Sequence, residues 1–427
     1  MTSPSLSPAG PVRAALDLVR PERVVEVLQA LVAVPSLTGT AAESELQAGL
    51  AQRLDGMGLD TDHWSIDLDL ISRVEGCPGW EAPREEAYGV VGTWHGLEAD
   101  APSVILNSHV DVVPLGDEQA WTTDPWGGAV QDGRLWGRGA CDMKAGLACQ
   151  LVAIEVLRAA GVPLRGAVAL HCVVGEEDGG LGTFATLERG HRGAAAIISE
   201  PTSLALVPAA AGALTFRLEV PGRSTHGSMR TEGVDAVEKY LLVHQALRAL
   251  EAERNRDPHP LMRHSSLPYP LSVGMVRAGD WASSVPDLLI AEGRYGVALG
   301  EDVAQARSVL EQRMAEVCAA DPWLAENPVR LTWYGGQFAP GALAEGDPLL
   351  DRAQVAHTTV VGSPARVHGA PYGSDLRLYT AAGIPTLHYG PGDIRVAHAP
   401  DENVAISELL TATQTLVLLV ADLAGLA

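Results

Sequence analysis

The chain has 427 residues, and its length and composition exclude several classes of protein. At about 150 residues per domain, it has room for two or three domains with buried cores. Its 53 Asp and Glu outnumber its 30 Lys and Arg, which gives a formal net charge of −23. Because such a field repels phosphate groups and anionic lipid, we expect neither nucleic acid nor a membrane surface as a partner. The 47% hydrophobic and 19% charged residues are typical of a globular protein.

The five cysteines predict neither a disulfide framework nor a thiolate metal site, because their number is odd and none are spaced C-x-x-C. This usage favours a reducing compartment, and we expect a cytoplasmic location. Prolines and charges near the N-terminus interrupt any apolar segment of a signal peptide, and no run of eighteen apolar residues occurs. We therefore expect a soluble chain without an export or anchoring segment.

The apolar spacing along the chain predicts strands and helices in alternation. After a loose start, residues 20–58 place apolar side chains at i, i+3 and i+4, which predicts helices interrupted near Pro35. Short apolar runs then predict strands, with helical patterns at residues 144–160 and 181–190 between several of them. The runs are YGVVGTWHG, SVILNSHVDVVP, AVALHCVVGEE, AAAIISEP and IPTLHYGPG. This alternation predicts an α/β fold whose mostly parallel sheet has helices on both faces.

Residues 211–337 follow a different pattern. Strand patterns at ALTFRLEVPG, LSVGMVRAG, VPDLLIAEGRYGV and VRLTWYGG combine with two amphipathic helical patterns in the order β-α-β-β-α-β, a ferredoxin-like motif. Because another apolar strand and a last helix follow, we interpret this segment as an insertion. The predicted domains are therefore a catalytic domain in two parts, residues 1–210 and 338–427, and an inserted domain of residues 211–337.

Acidic and histidine residues follow several of the predicted strands, at the sheet edge where open α/β sheets bind their ligands. His109 and Asp111 end one strand and share one of its faces. Because a metal-bound histidine usually donates its second N–H to a carboxylate, Asp111 is the candidate that orients His109. The further candidates are Asp142, Glu176, Glu177, Glu200 and His398.

Taken alone, each of these residues has a simpler structural explanation. Asp142 could be the N-cap of the helix that begins near Met143, and the acidic turn at residues 175–180 could be solvated. Three adjacent carboxylates at one strand end are costly, however, unless a positive charge compensates them. Imidazoles and carboxylates from separate strand ends are also the donors that zinc ions bind. The combination therefore predicts a dinuclear metal site.

Five motifs, in order and spacing, resemble those of the co-catalytic zinc metallopeptidase and deacylase family. They are HVDVVP, GRGACDMKAG, GEEDGG, ISEPT and HAPDENV. The family includes acetylornithine deacetylase, succinyl-diaminopimelate desuccinylase, aminoacylase and carboxypeptidase G. The resemblance spans nearly the whole chain and implies a zinc-peptidase-like catalytic domain whose inserted ferredoxin-like domain is a lid and dimerisation domain. It also implies a homodimer.

The resemblance assigns a role to each candidate residue. It implies two Zn²⁺ ions bridged by Asp142, although Co²⁺ or Mn²⁺ would suit the same donors. Glu176 matches the general base, Asp111 is expected to assist catalysis, and His226 matches a lid histidine that polarises the scissile carbonyl at the partner subunit's active site. The implied metal ligands are His109, Asp142, Glu177, Glu200 and His398.

The sequence around residue 283 departs from the pattern of members that act on amino-acid derivatives. Those members carry Asn-x-x-Pro and, ten residues after the Pro, an Arg that clamps the substrate carboxylate. Here the motif is Ser283-Ser284-Val285-Pro286, and the tenth residue after it is Gly296. The candidate substrate contacts are therefore Ser283, Arg294 and Arg377, with Arg230 as an alternative clamp.

We expect a metal-dependent hydrolase of small linear amides, with an N-acyl amino acid as the favoured substrate. The lid sequence also resembles N-formyl-aminopyrimidine deformylases, whose substrate has no α-carboxylate. A di- or carboxypeptidase with the same site is a third alternative. A metal-binding scaffold without activity is disfavoured because all the ligands and the base are present. The chain has no G-x-S-x-G or G-x-x-x-x-G-K-[ST] motif, so the sequence gives no support for a serine hydrolase or a P-loop enzyme.

Overall fold

The computed structural model describes residues 10–98 and 102–427, and the chain divides into two compact units. Unit 1 comprises Met1–Pro208, Ala342–His368 and Asp375–Ala427, and unit 2 comprises Ala209–Gly341 and Gly369–Ser374. The short segment of unit 2 at residues 369–374 has no counterpart in the predicted inserted domain. Within unit 1, the N–H of Leu343 donates to the carbonyl oxygen of Pro208 at 2.7 Å. The points at which the chain leaves unit 1 after Pro208 and re-enters it at Ala342 are therefore neighbours.

The helices and strands of the described residues are numbered separately in chain order. The helices are α1 Gly10–Leu18, α2 Pro21–Val32, α3 Ala41–Gly56, α4 Leu68–Ile71, α5 Lys144–Ala159, α6 Leu181–Glu188, α7 Ala236–Arg254, α8 Val303–Ala320, α9 Pro322–Glu326, α10 Pro348–Val361, α11 Leu376–Ala381 and α12 Ile406–Ala424. The strands are β1 Asp60–Ser65, β2 Tyr88–Trp94, β3 Pro102–His109, β4 Ala129–Gln131, β5 Arg134–Trp136, β6 Ala167–Val173, β7 Ala196–Ile198, β8 Ala209–Ala210, β9 Gly212–Pro221, β10 Leu271–Ala278, β11 Leu288–Val297, β12 Arg330–Phe338, β13 Gly341–Ala342, β14 Thr386–His388 and β15 Asn403–Ala405.

The structure differs from the sequence prediction near the start of the chain. Residues 1–9, the beginning of the predicted loose segment, lie outside the described residues. The following residues form α1 instead of a loose segment, because Val12 and Ala15 lie on one helical face and pack into the core of unit 1. The helical prediction for residues 20–58 is confirmed by α2 and α3, which are separated by a segment that contains Pro35.

Unit 1 is built on a six-stranded sheet with the order β1-β2-β6-β3-β7-β14. The strands β6, β3, β7 and β14 are parallel, whereas β1 and β2 form an antiparallel edge. On β3, Val104 and Leu106 pack into a core that includes α2, α5 and α12, and Ile105 packs on the opposite face with residues of α6 and α11. The predicted α/β fold, with a mostly parallel sheet and helices on both faces, is confirmed.

Two helices on one face of this sheet, α5 and α12, are largely buried. Gly146 lets α5 approach the segment after β7 closely, because an added Cβ would lie 2.0 Å from the carbonyl oxygen of Ser199. Among the described residues, α12 is long and apolar enough to cross a membrane by length and composition alone. In unit 1 it packs against α2, α5 and α10. The apolar side chains of α12 therefore form part of the hydrophobic core of unit 1.

Unit 2 contains a four-stranded antiparallel sheet with the order β10-β11-β9-β12. Alternate residues of β9, such as Phe216 and Leu218, pack with Leu247 of α7 and Leu310 of α8. Apart from the short helix α9 between α8 and β12, the chain order β9-α7-β10-β11-α8-β12 reproduces the predicted β-α-β-β-α-β arrangement. β10 lies at one edge of the sheet, and most of its side chains are exposed.

Candidate metal centre and active site

His109 is the last residue of β3, and a hydrogen bond to the backbone holds its ring. Its Nδ1–H donates to the carbonyl oxygen of Asp111 at 2.9 Å. This bond selects the tautomer whose Nε2 faces Oδ1 of Asp142, at 3.2 Å. The Asp111 carboxylate, which the sequence analysis assigns as the orienting group, lies farther from Nδ1, at 3.6 Å. The nearer acceptor is therefore the backbone of Asp111 rather than its side chain.

The carboxylate of Asp111 instead holds the turn that follows β6. Its Oδ1 accepts the backbone N–H of Glu176 and its Oδ2 accepts that of Glu177, both at 3.2 Å. The hydroxyl of Thr38 also donates to Oδ2, at 3.0 Å. Asp111 is fully buried, so these bonds are shielded from water. Its side chain positions the two glutamates.

Asp142 lies between two imidazoles. Its Oδ1 faces Nε2 of His109 at 3.2 Å, and its Oδ2 faces Nε2 of His398 at 3.5 Å. It is not the helix cap that the sequence analysis weighed as an alternative, because α5 begins at Lys144 with Met143 as its N-cap residue. Each oxygen of the Asp142 carboxylate can therefore serve a different metal ion.

The turn after β6 and the residue that follows Ser199 bring further carboxylates into this cluster. The two oxygens of Glu177 lie 3.2 and 3.1 Å from Nε2 of His398. Glu200 is 4% exposed and Glu176 is 8% exposed. The acidic turn is therefore largely buried, and it is not the solvated turn that the sequence left open as an alternative.

The ligand atoms of this cluster form two overlapping groups, and within each group they lie within 4.8 Å of one another. The groups are His109, Glu176 and Glu200, and His109, Asp142 and Glu177. Imidazole nitrogens and carboxylate oxygens are donors that Zn²⁺, Co²⁺ and Mn²⁺ accept. The donor set therefore fits divalent metal ions, and all five residues predicted as ligands belong to unit 1.

The buried charges of the cluster shift one another's pKa. Burial raises the pKa of Glu176 and of Glu200 well above the usual range, and neighbouring carboxylates raise both further. Partial desolvation favours the neutral imidazole of His398, whose side chain is 52% exposed, but the carboxylates of Asp142 and Glu177 outweigh it and raise the pKa of His398 to about 11. Burial alone would raise the pKa of Asp142, but hydrogen bonds with the two imidazoles lower it. Cations that enter such a cluster displace protons from it.

Glu402 holds the loop that carries Asp142, a role that the sequence motifs do not predict. Its Oε1 accepts the backbone N–H of Cys141 at 2.8 Å and that of Asp142 at 3.0 Å. Its Oε2 pairs with Nη1 of Arg138 at 2.6 Å, and both side chains are buried. A signal was present in the sequence, because Glu402 and Arg138 lie within the motifs HAPDENV and GRGACDMKAG. The structure shows that these two motifs are joined by this ion pair.

Two of the arginines considered as carboxylate clamps already have partners within their own units. Arg377 is 4% exposed, its Nη2 donates to the carbonyl oxygen of Gly179 at 2.5 Å, and its Nη1 lies 3.8 Å from Asp375. Arg230 is exposed and pairs with Glu238 at 2.7 Å. A substrate carboxylate would compete with these partners for either guanidinium.

The other predicted catalytic and substrate residues belong to unit 2. His226 is exposed, and its Nδ1 accepts the backbone N–H of Ser228 at 3.2 Å, so a neutral ring carries its proton on Nε2 and can donate it. Ser283 is exposed, and its carbonyl oxygen accepts the N–H of Gly227 at 2.6 Å. Arg294 lies on β11, where its guanidinium is 5.6 Å from the ring centre of Phe338.

Comparison with known proteins identifies the family. The profile of Peptidase family M20/M25/M40 matches residues 105–422. An N-formyl-4-amino-5-aminomethyl-2-methylpyrimidine deformylase of Halalkalibacterium halodurans is 27% identical over 92% of this chain and 93% of its own. A succinyl-diaminopimelate desuccinylase of Cereibacter sphaeroides is 28% identical over 80% and 89% of the two chains. The structure of a dinuclear metal-binding M20 peptidase of Bacillus subtilis aligns over 94% of this chain and 98% of its own, with a TM-score of 0.62 and 17% identity.

The profile match covers most of the chain, including the residues that form the buried cluster. The relatives are named as hydrolytic enzymes, so the prediction of a hydrolase is confirmed. The solved structure has the same fold over nearly its full length. The chain therefore belongs to peptidase family M20/M25/M40.

Proposed function

We propose that the chain hydrolyses a small N-acyl amine at the carboxylate and imidazole cluster of unit 1. The observation that carries this proposal is the position of Asp142, whose two oxygens face two separate imidazoles. A carboxylate in this position can bridge two cations, and buried carboxylates beside it are costly without compensating charge. The family and the deformylase and desuccinylase names of the relatives support the same chemistry.

The cluster supplies ligands for two metal ions, which we propose to be zinc. His109 and Glu200 would complete one site, Glu177 and His398 would complete the other, and Asp142 would be shared. Cobalt or manganese would suit the same nitrogen and oxygen donors. When bound, two divalent cations polarise an amide carbonyl and lower the pKa of a water molecule.

Glu176 is the proposed general base and general acid. Its carboxylate lies within 4.8 Å of the ligand atoms of His109 and Glu200, beside the proposed metal site, where it can accept and give up a proton. Its backbone N–H is fixed by the carboxylate of Asp111. Glu176 takes a proton from water as the water oxygen bonds to the carbonyl carbon, and it delivers that proton to the amine nitrogen as the C–N bond breaks.

We propose an N-acyl amino acid as the substrate, and an N-formyl-aminomethylpyrimidine is the second candidate. The conformation around Gly296 favours the second, because an added Cβ would lie 2.9 Å from both the carbonyl oxygen of Pro270 and the carbonyl carbon of Tyr269. A clamping side chain does not fit there without a backbone shift. If the substrate carries an α-carboxylate, Arg294 is the proposed clamp, since it lies two residues earlier on the same strand face.

Amine release by the zinc-loaded protein, with and without EDTA, tests the proposal. The substrates are N-acetyl and N-succinyl amino acids, dipeptides and N-formyl-aminomethylpyrimidine. EDTA-sensitive turnover of an acyl amino acid, with a raised KM in Arg294→Ala, supports the first substrate class. Turnover confined to the formylpyrimidine supports the second, and faster turnover of dipeptides indicates a peptidase. The absence of EDTA-sensitive turnover on every amide contradicts the proposal.

The Glu176→Gln variant separates proton transfer from metal binding. We expect kcat to fall by about 10²- to 10⁴-fold, the usual contribution of a general base, while the zinc content measured by mass spectrometry stays at the wild-type value. Glu75→Gln, at an exposed position of the same unit, is the matched control and should keep the wild-type kcat. An unchanged kcat in Glu176→Gln refutes the assigned role.

We also propose that unit 2 mediates a homodimer. β10 lies at the edge of its sheet, and an unpaired strand edge with apolar neighbours favours association with a second copy. The exposed apolar residues on β10 and α7 include Met275, Val276, Leu241 and Leu242. Light scattering should give twice the chain mass of 44.8 kDa. A monomeric mass contradicts the proposal.

A dimer allows His226 of one copy to act at the reaction centre of the other. Mixing His226→Ala with Glu176→Gln tests this role, because a mixed dimer would contain one site with both residues intact. Recovered activity supports the exchange. If both variants are dimeric and exchange subunits, yet the mixture stays inactive, His226 does not act across the dimer.

A further inference from the structure

An irregular segment between Ile71 and Tyr88 covers the turn that carries the catalytic glutamate. The backbone N–H groups of Glu81 and Ala82 donate to Oδ2 of Asp178, at 3.1 and 2.8 Å. At the same place an added Cβ on Gly179 would lie 2.0 Å from the carbonyl oxygen of Gly79. The covering segment is therefore in direct backbone contact with the turn.

Arg84, which follows these backbone contacts in the covering segment, is a buried cation next to the turn. Its side chain is 0% exposed, and its Nη2 lies 3.0 Å from both oxygens of Asp178. Its Nη1 lies 3.5 Å from Oε2 of Glu43. Gly175 packs against the guanidinium, because an added Cβ there would lie 2.9 and 3.0 Å from the two terminal nitrogens. Gly175 also has a φ of +62°, so both its conformation and its contact with Arg84 require glycine.

Three carboxylates hold the turn at successive positions. Oε1 of Glu43 accepts the N–H of Gly175 at 2.9 Å, and the carboxylate of Asp111 accepts the N–H groups of the next two residues. Asp178, at the fourth position, is tied to the covering segment. Arg84 contacts two of these carboxylates, Glu43 and Asp178, and supplies the positive charge that their burial requires.

We propose that Arg84, acting with Glu43 and Asp178, is a positioning residue that fixes the turn carrying Glu176 and Glu177. The inference rests on the proposed function, in which Glu176 transfers the proton and Glu177 is a metal ligand. Without the guanidinium, two buried carboxylates lose their counter-charge, and the turn can shift relative to β3. A misplacement of about 1 Å is enough to cost on the order of 10²-fold in rate.

The Arg84→Ala variant tests the proposal in the zinc-loaded, full-length protein. We expect kcat to fall about 100-fold with KM changed less than threefold, and guanidinium or ethylguanidinium in the assay to restore part of kcat. We also expect weaker binding of the second zinc equivalent, measured by competition with a chromophoric chelator. Arg189→Ala is the matched control, because Arg189 makes a similar two-point pair with Asp62 at 2.6 and 2.9 Å but is exposed.

If Arg84→Ala does not fold, Arg84→Lys tests the positioning role instead. The ammonium keeps the buried positive charge but cannot hold two carboxylates in the same fixed geometry, so we expect about a tenfold loss of kcat. Values of kcat and zinc affinity within twofold of Arg189→Ala in the folded Arg84 variants overturn the inference. If the wild-type protein binds zinc but cleaves no amide, the proposed function fails, and the zinc affinity of the Arg84 variants still tests the positioning role.

Discussion

At the scale of single residues, two classes of carboxylate can be distinguished in and around the cluster. Asp142, Glu177 and Glu200 present oxygens to imidazoles or to one another. Asp111 and Glu402 use theirs to hold backbone N–H groups. The second class fixes the two loops that carry Asp142 and Glu177. Changes in either class should therefore alter activity, but through different measurable quantities.

Replacement of Glu402 by Gln should destabilise the protein and loosen the loop that carries Asp142. The change leaves the buried guanidinium of Arg138 without its counter-ion, and breaking a buried pair in this way costs about 3 to 5 kcal/mol. Urea unfolding measures the loss, and chelator competition should show weaker zinc binding. Glu155→Gln, which breaks a partly exposed pair with Arg23, should change stability by less than about 1 kcal/mol. Similar losses in the two variants would argue against the assigned role of Glu402.

His171 should make the protein sensitive to acid. Burial lowers its pKa from 6.5 to about 3, so the folded state binds this proton more weakly than the unfolded state. Its contribution to stability is fully present above about pH 6.5 and is lost as the pH falls from there through about 3. His171→Gln should reduce the slope of the unfolding free energy against pH in this window. A slope in His171→Gln identical to that of the wild type would contradict the prediction.

At the scale of elements, the sequence predicted the sheet and its helices well because their apolar periodicity is strong. The runs around β3, β6 and β7 mark buried strands, and the amphipathic patterns mark α7 and α8. Elements that depend on distant contacts were missed. Nothing local shows that residues 369–374 join unit 2 or that Arg84 is buried, because their partners lie far along the chain.

The same limit applies to the candidate site. The motifs point to the imidazoles and carboxylates of the two groups of ligand atoms, because each motif contains at least one of these side chains. They do not reveal that Glu402 holds the loop of Asp142. They could not show that the carbonyl oxygen of Asp111, rather than its carboxylate, is the nearer partner of His109. Either acceptor satisfies the same ring nitrogen, and only the backbone path after β3 selects between them.

We expect substitution by alanine to have opposite effects on stability at two helical glycines, because only one of them lies at the close contact between α5 and the segment after β7. Gly146→Ala would place a Cβ 2.0 Å from the carbonyl oxygen of Ser199, so we expect a loss of about 1 to 3 kcal/mol and weaker zinc binding through the adjacent Glu200. Gly49→Ala in α3 meets no atom within 4 Å and should gain about 0.5 to 1 kcal/mol. Urea unfolding compares the two, and a stabilised Gly146→Ala would contradict the packing argument.

At the scale of the whole molecule, the stabilisation of the folded protein by zinc should depend on pH. The carboxylates around His398 raise its pKa to about 11, so at neutral pH zinc must displace a proton from it. Zinc affinity should therefore fall by about tenfold per pH unit for each proton released, and zinc at 100 times its Kd should add about 2.7 kcal/mol. Thermal unfolding at fixed free zinc should show a Tm increase that shrinks from pH 8 to pH 6.

His398→Gln provides the comparison for this coupling. The amide does not titrate, so the zinc-dependent increase in Tm should be smaller than in the wild type and should depend less on pH. EDTA should remove the increase in both proteins. A wild-type Tm increase that is constant between pH 6 and pH 8 would show that zinc displaces no proton from the cluster.

The hydrogen bond between Leu343 and Pro208 bears on how unit 2 could be gained or exchanged during evolution. Because these two residues are adjacent within unit 1, the long segment 209–341 can be inserted or removed there with little rearrangement of unit 1, whereas residues 369–374 join unit 2 separately. All five expected metal ligands belong to unit 1, so exchange of unit 2 leaves this set of side chains in place. Evolution can therefore vary unit 2 independently of the carboxylate and imidazole cluster in unit 1.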